Sequence, residues 1–319
     1  MNWGIIGFGR IARKFVESSR YLKDQKILAI GSKSLSKDDP LFIENSQVKI
    51  YRDYNELLED ENIDAVYIAL PHKFHYEWVI KALNHHKAVL CEKPAVLSKN
   101  EMLAIKEAAL KNQTFFLEAL KTKMNVGLFH LKKDLPLIGN IKSVEANFCS
   151  NCLSLRGTDS FLYDPKQGGA LNDVGTYLLG FVLSIIHSPI KMINATSKMY
   201  GEFDEHFNAQ LFFENGAIAN IEGAIDENKE RYAKIIGEQG EIYIPMFNRM
   251  SEYTVSLNNG KVFTCEYPIY GTDMTYQIQE LYDCVKQNKI ESDLHSLDET
   301  IEIIEIVEKI RNRLKEVQE

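Results

Sequence analysis

The sequence predicts an α/β fold: an N-terminal doubly wound parallel sheet, followed by an α+β domain built on a large, mostly antiparallel sheet. Three observations predict it. Up to about Ala119, short apolar runs alternate with helical patterns, the rhythm of βαβ units. Beyond Leu120 the apolar runs are joined by glycine-bearing hairpin turns. A chain of 319 residues with 45% hydrophobic content exceeds one ordinary core, so two domains are expected, 1–121 and 122–319, with a cleft between them.

In the first half, Gly4-Ile5-Ile6, Ile27 to Ile30, Val48 to Tyr51, Ala65 to Leu70, Ala88 to Cys91 and Thr114 to Leu117 read as six strands. Trp78, Val79, Ala82 and Leu83, and later Met102, Ile105, Ala108 and Ala109, recur at helical spacing and read as core stripes of intervening helices. In the second half, Ile141 to Phe148, Ala209 to Phe213, Ala217 to Ile225 and Tyr232 to Ile236 read as strands, punctuated by Asn-Gly, Glu-Gln-Gly and Asn-Asn-Gly turns. The chain closes on a helix with Leu297, Ile301, Ile304, Val307, Ile310 and Leu314 along one face.

A net charge of −8, with bases and acids interspersed, offers no field for a polyphosphate backbone, so nucleic acid is not an expected partner. No apolar run reaches the roughly 20 residues of a membrane span, since Leu178 to Ile186 is broken by Gly180 and Ser184. Met1 to Gly7 runs straight into a strand without the pattern of a signal peptide, and a soluble, cytoplasmic protein is expected. Five scattered cysteines suit a reducing compartment, and the Cys149-x-x-Cys152 pair has neither a second pair nor a histidine at zinc spacing, so no metal is expected.

Four segments point to a dinucleotide and to chemistry beside it. Gly7-Phe8-Gly9-Arg10-Ile11-Ala12 follows the first strand and opens a helix, where glycines permit a tight turn and approach of a pyrophosphate to backbone N–H groups. At the end of the second strand, where an acid would hold ribose hydroxyls, stand Ser32 and Lys33, a hydroxyl and a cation suited to a 2′-phosphate; hence NADP is favoured over NAD, the alternative being a helix N-cap at Ser32 with Lys33 exposed, which fits either cofactor. Leu70-Pro71-His72 ends the fourth strand and leads into a helix bearing His75, so both histidines are expected at the cofactor rather than in catalysis, the alternative for His75 being a capping or packing role. Lys93 ends the fifth strand, where ligands sit in an open α/β sheet, and Pro94 stiffens its presentation.

These residues, with Cys91-Glu92-Lys93-Pro94 and Gly168-Gly169-Ala170-Leu171-Asn172-Asp173-Val174-Gly175-Thr176-Tyr177, resemble the Gfo/Idh/MocA family of glucose-fructose oxidoreductase and inositol dehydrogenase, over nearly the whole chain. The tyrosine at 177, where many members carry histidine, is similar to the dihydrodiol and NADP-dependent xylose dehydrogenases. The resemblance implies a Rossmann domain, hydride transfer between nicotinamide and a sugar, polyol or cyclic diol, Lys93 beside the reacting hydroxyl, and Glu92 helping to hold the cofactor. It also implies a homo-oligomer, dimer or tetramer, through the outer face of the second sheet.

Asp173 and Tyr177, four apart, share a helix face; Tyr177 can exchange a proton if the Lys93 ammonium stabilises its anion, with Asp173 orienting the substrate. Lys123, after the sixth strand, is a candidate contact to substrate or cofactor, in a run that departs from the arginine-containing one of relatives. Arg156, Asp159, Tyr163 and Asp164 read either as polyol contacts or as a solvated loop. The alternative function is a dinucleotide-sensing regulatory or scaffold protein of the same fold, catalytically inactive.

Overall fold

The computed structural model describes residues 1–36, 39, 47–154 and 160–316. It divides into two compact units, one comprising Met1–Ala119 and Tyr270–Ile301, the other Leu120–Ile269 and Glu302–Glu319. A single cut at 121 therefore does not describe the chain, because Tyr270–Ile301 packs with the first unit. Two of its bonds show why: Phe116 N–H donates to the Ile290 carbonyl at 3.1 Å, and His295 Nε2 lies 2.9 Å from Glu118 Oε2.

The first unit holds a six-stranded sheet of β1 (Asn2–Ile6), β2 (Lys26–Gly31), β3 (Lys49–Tyr51), β4 (Ala65–Ile68), β5 (Ala88–Cys91) and β6 (Phe116–Glu118). Its order is β3-β2-β1-β4-β5-β6 and every pairing is parallel, the doubly wound arrangement with its order reversing between β1 and β4. Strands β4 and β5 are buried along their whole length, as continuous apolar runs in a covered parallel sheet should be. Helices α1 (Arg10–Ser19), α2 (Tyr54–Glu59), α3 (His75–Asn84) and α4 (Lys99–Asn112) intervene. Phe15 of α1 stacks on Tyr67 of β4 at 4.1 Å and takes the edge of Trp3, three rings with essentially no exposure. Each such ring contributes about 2–3 kcal/mol through burial. The start of α4 is set by a capping box in which Ser98 and Glu101 each satisfy the other's backbone N–H.

The second unit is built on β7 (Ile141–Cys149), β8 (Ile190–Tyr200), β9 (Phe203–Phe213), β10 (Ile218–Ala224), β11 (Tyr232–Gly237), β12 (Gly240–Pro245), β13 (Glu252–Leu257) and β14 (Val262–Glu266). The order is β14-β13-β12-β11-β7-β10-β9-β8, antiparallel throughout except for β7 beside β10. In β9, buried residues alternate with partly or fully exposed ones, so one face meets the core and the other does not. The core side carries α5 (Val126–Asp134) and α6 (Thr176–Ile185), and α6 is buried on nearly every side. Helix α7 (Thr275–Lys286) belongs to the first unit; α8 (Leu297–Glu316) begins there and continues into the second. The predicted stripe of α8 is buried, and Ile303 and Ile306 join it. No helix among the described residues is long and apolar enough to cross a membrane.

Candidate functional site

In the first unit the candidate residues gather at the carboxyl ends of the strands. Gly7 follows β1 with φ +87°, and its N–H donates to the Gly31 carbonyl at 3.0 Å. A Cβ there would lie 2.7 Å from the Ala69 carbonyl oxygen, so only glycine lets this turn pass beside β4. Gly9 precedes α1, and a Cβ built on it meets no atom within 4 Å. The first helical bond runs from Arg13 N–H to the Gly9 carbonyl, so the N–H groups of Arg10, Ile11 and Ala12 lie ahead of it at the positive end of the helix. Open space over such a turn fits a pyrophosphate. Arg10 and Ile11 are both exposed there, the latter unusually so for an aliphatic side chain.

Beside this turn lies a cavity of about 480 Å³ lined by Phe8, Arg13, Ser32, Ser34, Leu35, Ser36 and Asp39. Ser32 is buried, and its Oγ accepts from Leu35 N–H at 3.2 Å; Lys33 is exposed and is not part of that lining. The cation that does line it is Arg13, paired with both Asp39 oxygens at 2.9 and 2.6 Å and lying 4.6 Å from the Phe8 ring centroid. Arg13 and Asp39 belong to no motif in the sequence, although Arg13 stands only four residues past Gly9.

At the end of β4, Leu70 and Pro71 are half-buried and His72 is buried, its ring 5.6 Å from that of His75. His75 has no exposed surface, and its ring nitrogens face the carbonyls of Pro94 (Nδ1, 2.9 Å) and Leu70 (Nε2, 2.8 Å), which favours packing over a cofactor contact. Burial pushes its pKa down, while the Pro94 and Leu70 carbonyls and the Glu118 charge act the other way. The ring is a brace tying the end of β4 to the turn after β5.

That turn carries Glu92, which accepts from the Tyr67 hydroxyl, and Lys93, which is only 9% exposed. The Lys93–Pro94 peptide is cis. One residue further on, Ala95 N–H donates to Glu118 Oε1 at 2.9 Å, and Glu118 Oε2 meets His295, so the lysine turn is gripped from two sides by buried side chains. Glu118 and His295 escaped the sequence reading, since nothing local marks two residues 177 apart as partners.

In the second unit, Asp173 and Tyr177 lie on consecutive helical pieces: Leu171–Gly175 forms a π-helical turn that runs directly into α6. Such widened turns recur at functional sites. The turn is anchored by Asp204, which accepts from Leu171 N–H at 2.6 Å, and by Gly169 at φ +86°, where a Cβ would fall 2.4 Å from Asp204 Oδ1. Burial pushes the Asp204 carboxyl up to about 6 in spite of backbone N–H bonds and the charge of Arg311. Tyr177 is 9% exposed; its ring lies 5.4 Å from that of Phe148 and 5.7 Å from the Lys121 amine.

Lys123, expected as a substrate or cofactor contact, is engaged within the protein. It is buried, and its amine donates to Ser184 Oγ at 2.9 Å inside the second unit, while the Lys121 amine lies over the Tyr177 ring. Tyr163 donates to the Leu153 carbonyl, and Asp164 accepts from Lys166 N–H and Gln167 Nε2, which makes them turn-forming; Arg156 and Asp159 lie outside the described residues. Cys149 is buried, with its thiol pushed up to about 12 by burial and then by Glu222, while Cys152 donates to Asp173 Oδ2 at 3.9 Å. Cys149, His206, Glu222 and Glu227 bring donor atoms within 4.8 Å of one another, a set that the C-x-x-C spacing does not reveal. The Lys229 ammonium already sits 2.6 Å from Glu222 and 2.8 Å from Glu227.

A doubly wound sheet with an open glycine turn after its first strand, joined to a unit built on a large mixed sheet, defines a two-domain oxidoreductase of the nicotinamide-dinucleotide class. Residues 1–119 match the model of the Gfo/Idh/MocA oxidoreductase family with its NAD-binding Rossmann fold, and residues 137–243 match that family's C-terminal domain. The chain belongs to this family. Among curated relatives it is 26% identical over 319 residues to scyllo-inositol 2-dehydrogenase (NADP(+)) IolU of Bacillus subtilis, covering 98% of this chain and 97% of that one. It is likewise 26% identical over 328 residues to the trans-1,2-dihydrobenzene-1,2-diol dehydrogenase of Danio rerio, with the same coverage. Among solved structures, aldose-aldose oxidoreductase from Caulobacter crescentus, complexed with glycerol, shares the fold with a TM-score of 0.86 at 18% identity, over 99% of this chain and 98% of that one.

Proposed function

We propose that this chain is an NADP-preferring dehydrogenase or reductase acting on a CH–OH group, or its carbonyl form, of a sugar, polyol or cyclic diol. The observation that carries the reading is the Lys93 turn: a buried amine at the end of β5, braced through Pro94 by His75 and through Ala95 by Glu118, in a unit whose glycine turn is open for a dinucleotide. The family's relatives in inositol and diol chemistry support the substrate class.

The nicotinamide, when bound, supplies or accepts the hydride. Gly7, Phe8, Gly9, Arg10 and Ile11 form the turn that would hold the pyrophosphate, and Ser32 with Lys33 the ribose 2′-phosphate; Leu70, Pro71, His72 and Glu92 would flank the cofactor at the ends of β4 and β5. Lys93 hydrogen-bonds the reacting oxygen and stabilises negative charge there. Tyr177 takes the hydroxyl proton on oxidation and returns it on reduction, its anion favoured by cationic neighbours. Asp173 orients the substrate's hydroxyls. The outward face of the second sheet, with a groove of about 330 Å³ lined by side chains such as Asn194, Asn208, Gln210 and Asn220, is assigned to a second copy of the chain, and the enzyme to the cytoplasm.

Titrating NADP+ and NAD+ while following reduced-dinucleotide formation over a panel of sugars, inositols and diols tests the reading. Lys33→Ala is expected to weaken NADP+ about tenfold, some 1.4 kcal/mol, and to leave NAD+ unaffected. Equal loss of both would remove the NADP assignment, and dinucleotide binding without turnover of any compound would favour the sensor alternative.

A further inference from the structure

Cationic side chains of the second unit gather near Tyr177. Arg231, immediately ahead of β11, holds its guanidinium carbon 3.7 Å from the centroid of the Phe148 ring, the same ring that lies 5.4 Å from Tyr177. Its Nη1 reaches Asn248 Oδ1 at a long 3.5 Å, and the next residue in the chain is Arg249. Burial pushes the Arg231 pKa down, and the Arg249 charge pushes it further in the same direction; the opposing influences come only from Tyr177 and Cys149. Lys121 adds a third cation beside the Tyr177 ring.

Arg231 is half-buried, its Nε is enclosed without an acceptor, and among the described residues no carboxylate pairs with it. A guanidinium removed from water is ordinarily paired, because desolvation of an uncompensated charge is costly, and a second guanidinium nearby adds repulsion. Phe148 and one amide oxygen meet only part of that demand. A planar fork with unused donors is shaped for the two oxygens of a carboxylate or a phosphate. All of these residues belong to the second unit, so the arrangement is internal to it.

We propose that the substrate received at Tyr177 carries an anionic group, a carboxylate or a phosphate ester, which Arg231 binds in the field of the Arg249 charge, so that the enzyme acts on an acidic or phosphorylated sugar or polyol in preference to a neutral one. This rests on the reading of Tyr177 as part of the substrate site.

The test is calorimetric binding of D-glucitol, D-gluconate and D-glucitol 6-phosphate to the enzyme loaded with NADP+, with hydride transfer followed in parallel. At least one anion is expected to bind about tenfold or more tightly than glucitol, since a charge-assisted hydrogen bond is worth that much, and whichever anion wins distinguishes carboxylate from phosphate. Arg231→Gln should erase the difference and Arg231→Lys retain part of it, with NADP+ affinity and the thermal midpoint reporting that each variant is folded. Arg249→Gln supplies the same readout if Arg231→Gln does not fold. Glucitol binding as tightly as both anions, binding by none of the three, or an anion preference that survives Arg231→Gln and Arg249→Gln would each overturn the proposal. Loss of anion preference in the variant, without hydride transfer from these probes or from the wider panel of sugars, inositols and diols, would instead overturn the dehydrogenase reading and leave the anion site standing.

Discussion

In the first unit the candidate residues stand on turns at the ends of β1, β2, β4 and β5, whereas in the second they project from helix α6, the turn before it and the strands it covers. Turn positions depend on backbone: Gly7 is specified by a positive φ and a carbonyl 2.7 Å from where its Cβ would be, and Lys93 by what holds Pro94 and Ala95. Positions on α6 depend on side-chain packing, with Tyr177 set among Phe148, Lys121 and Arg231. A site of the first kind tolerates few changes in the chain's path, while one of the second kind can alter its ligand by exchanging side chains on an unchanged scaffold.

The contrast is broken most sharply by chemistry. Lys93→Met should lower the turnover number by about 10³-fold and Tyr177→Phe by about 10²-fold, with dinucleotide affinity nearly unchanged in both, as expected for groups that act on a proton or an oxyanion. Steady-state rates beside a cofactor titration check this; a Lys93→Met variant that fails to bind the dinucleotide would make that residue a cofactor ligand only.

A backbone comparison comes next. Gly7→Ala is expected to destabilise the protein by about 2–3 kcal/mol, because both its conformation and the Ala69 carbonyl forbid a side chain. Gly9→Ala has open space around the added carbon, so its effect should fall on dinucleotide affinity, with a stability change of roughly 0.5 kcal/mol or less. Urea midpoints and cofactor titrations on the two variants separate these outcomes.

Acid separates the units by sign. Asp204, in the second, has a folded pKa raised from 3.8 to about 6, so the stability associated with its protonation is fully present below 3.8 and is lost as the pH rises through 6. For a carboxyl this buried the loss is roughly 2–3 kcal/mol, and Asp204→Asn should flatten the slope between those values. Asp60, in the first unit, is shifted the opposite way, chiefly by its bond from Lys49, so its contribution is present above the ordinary carboxyl range and is lost as the pH falls through its lowered folded value. Urea unfolding of wild type, Asp204→Asn and Asp60→Asn from pH 3 to 7 reads both; a wild-type slope unchanged by Asp204→Asn would mean that Asp204 is ionised in the fold at no cost.

Why one unit was more legible than the other follows from the range of the interactions. Each β–turn–α step of the first unit is local, so the six strands, the glycine turn and the lysine after β5 were readable from spacing alone. The return of Tyr270–Ile301 was not, because its bonds join Phe116 to Ile290 and Glu118 to His295 across more than half the chain. In the second unit the hairpin turns revealed an antiparallel sheet but not the parallel meeting of β7 with β10. The inward partners of His75 and Lys123 were hidden for one reason: a polar residue near a ligand-bearing strand end looks alike in sequence whether it faces outward or, as here, meets carbonyls and Ser184. Arg231 carries no local signal at all, since its meaning lies in Phe148 and Asn248, brought to it by the sheet.

The late return of Tyr270–Ile301 also bears on how the protein is made. During synthesis the six strands emerge first, yet Glu118 lacks its histidine and the edge of β6 lacks its neighbour until residues 290 to 295 have left the ribosome. The first unit to be started therefore stays open while residues 120 to 269 are translated, and the second, which needs Glu302 onward, is completed later still.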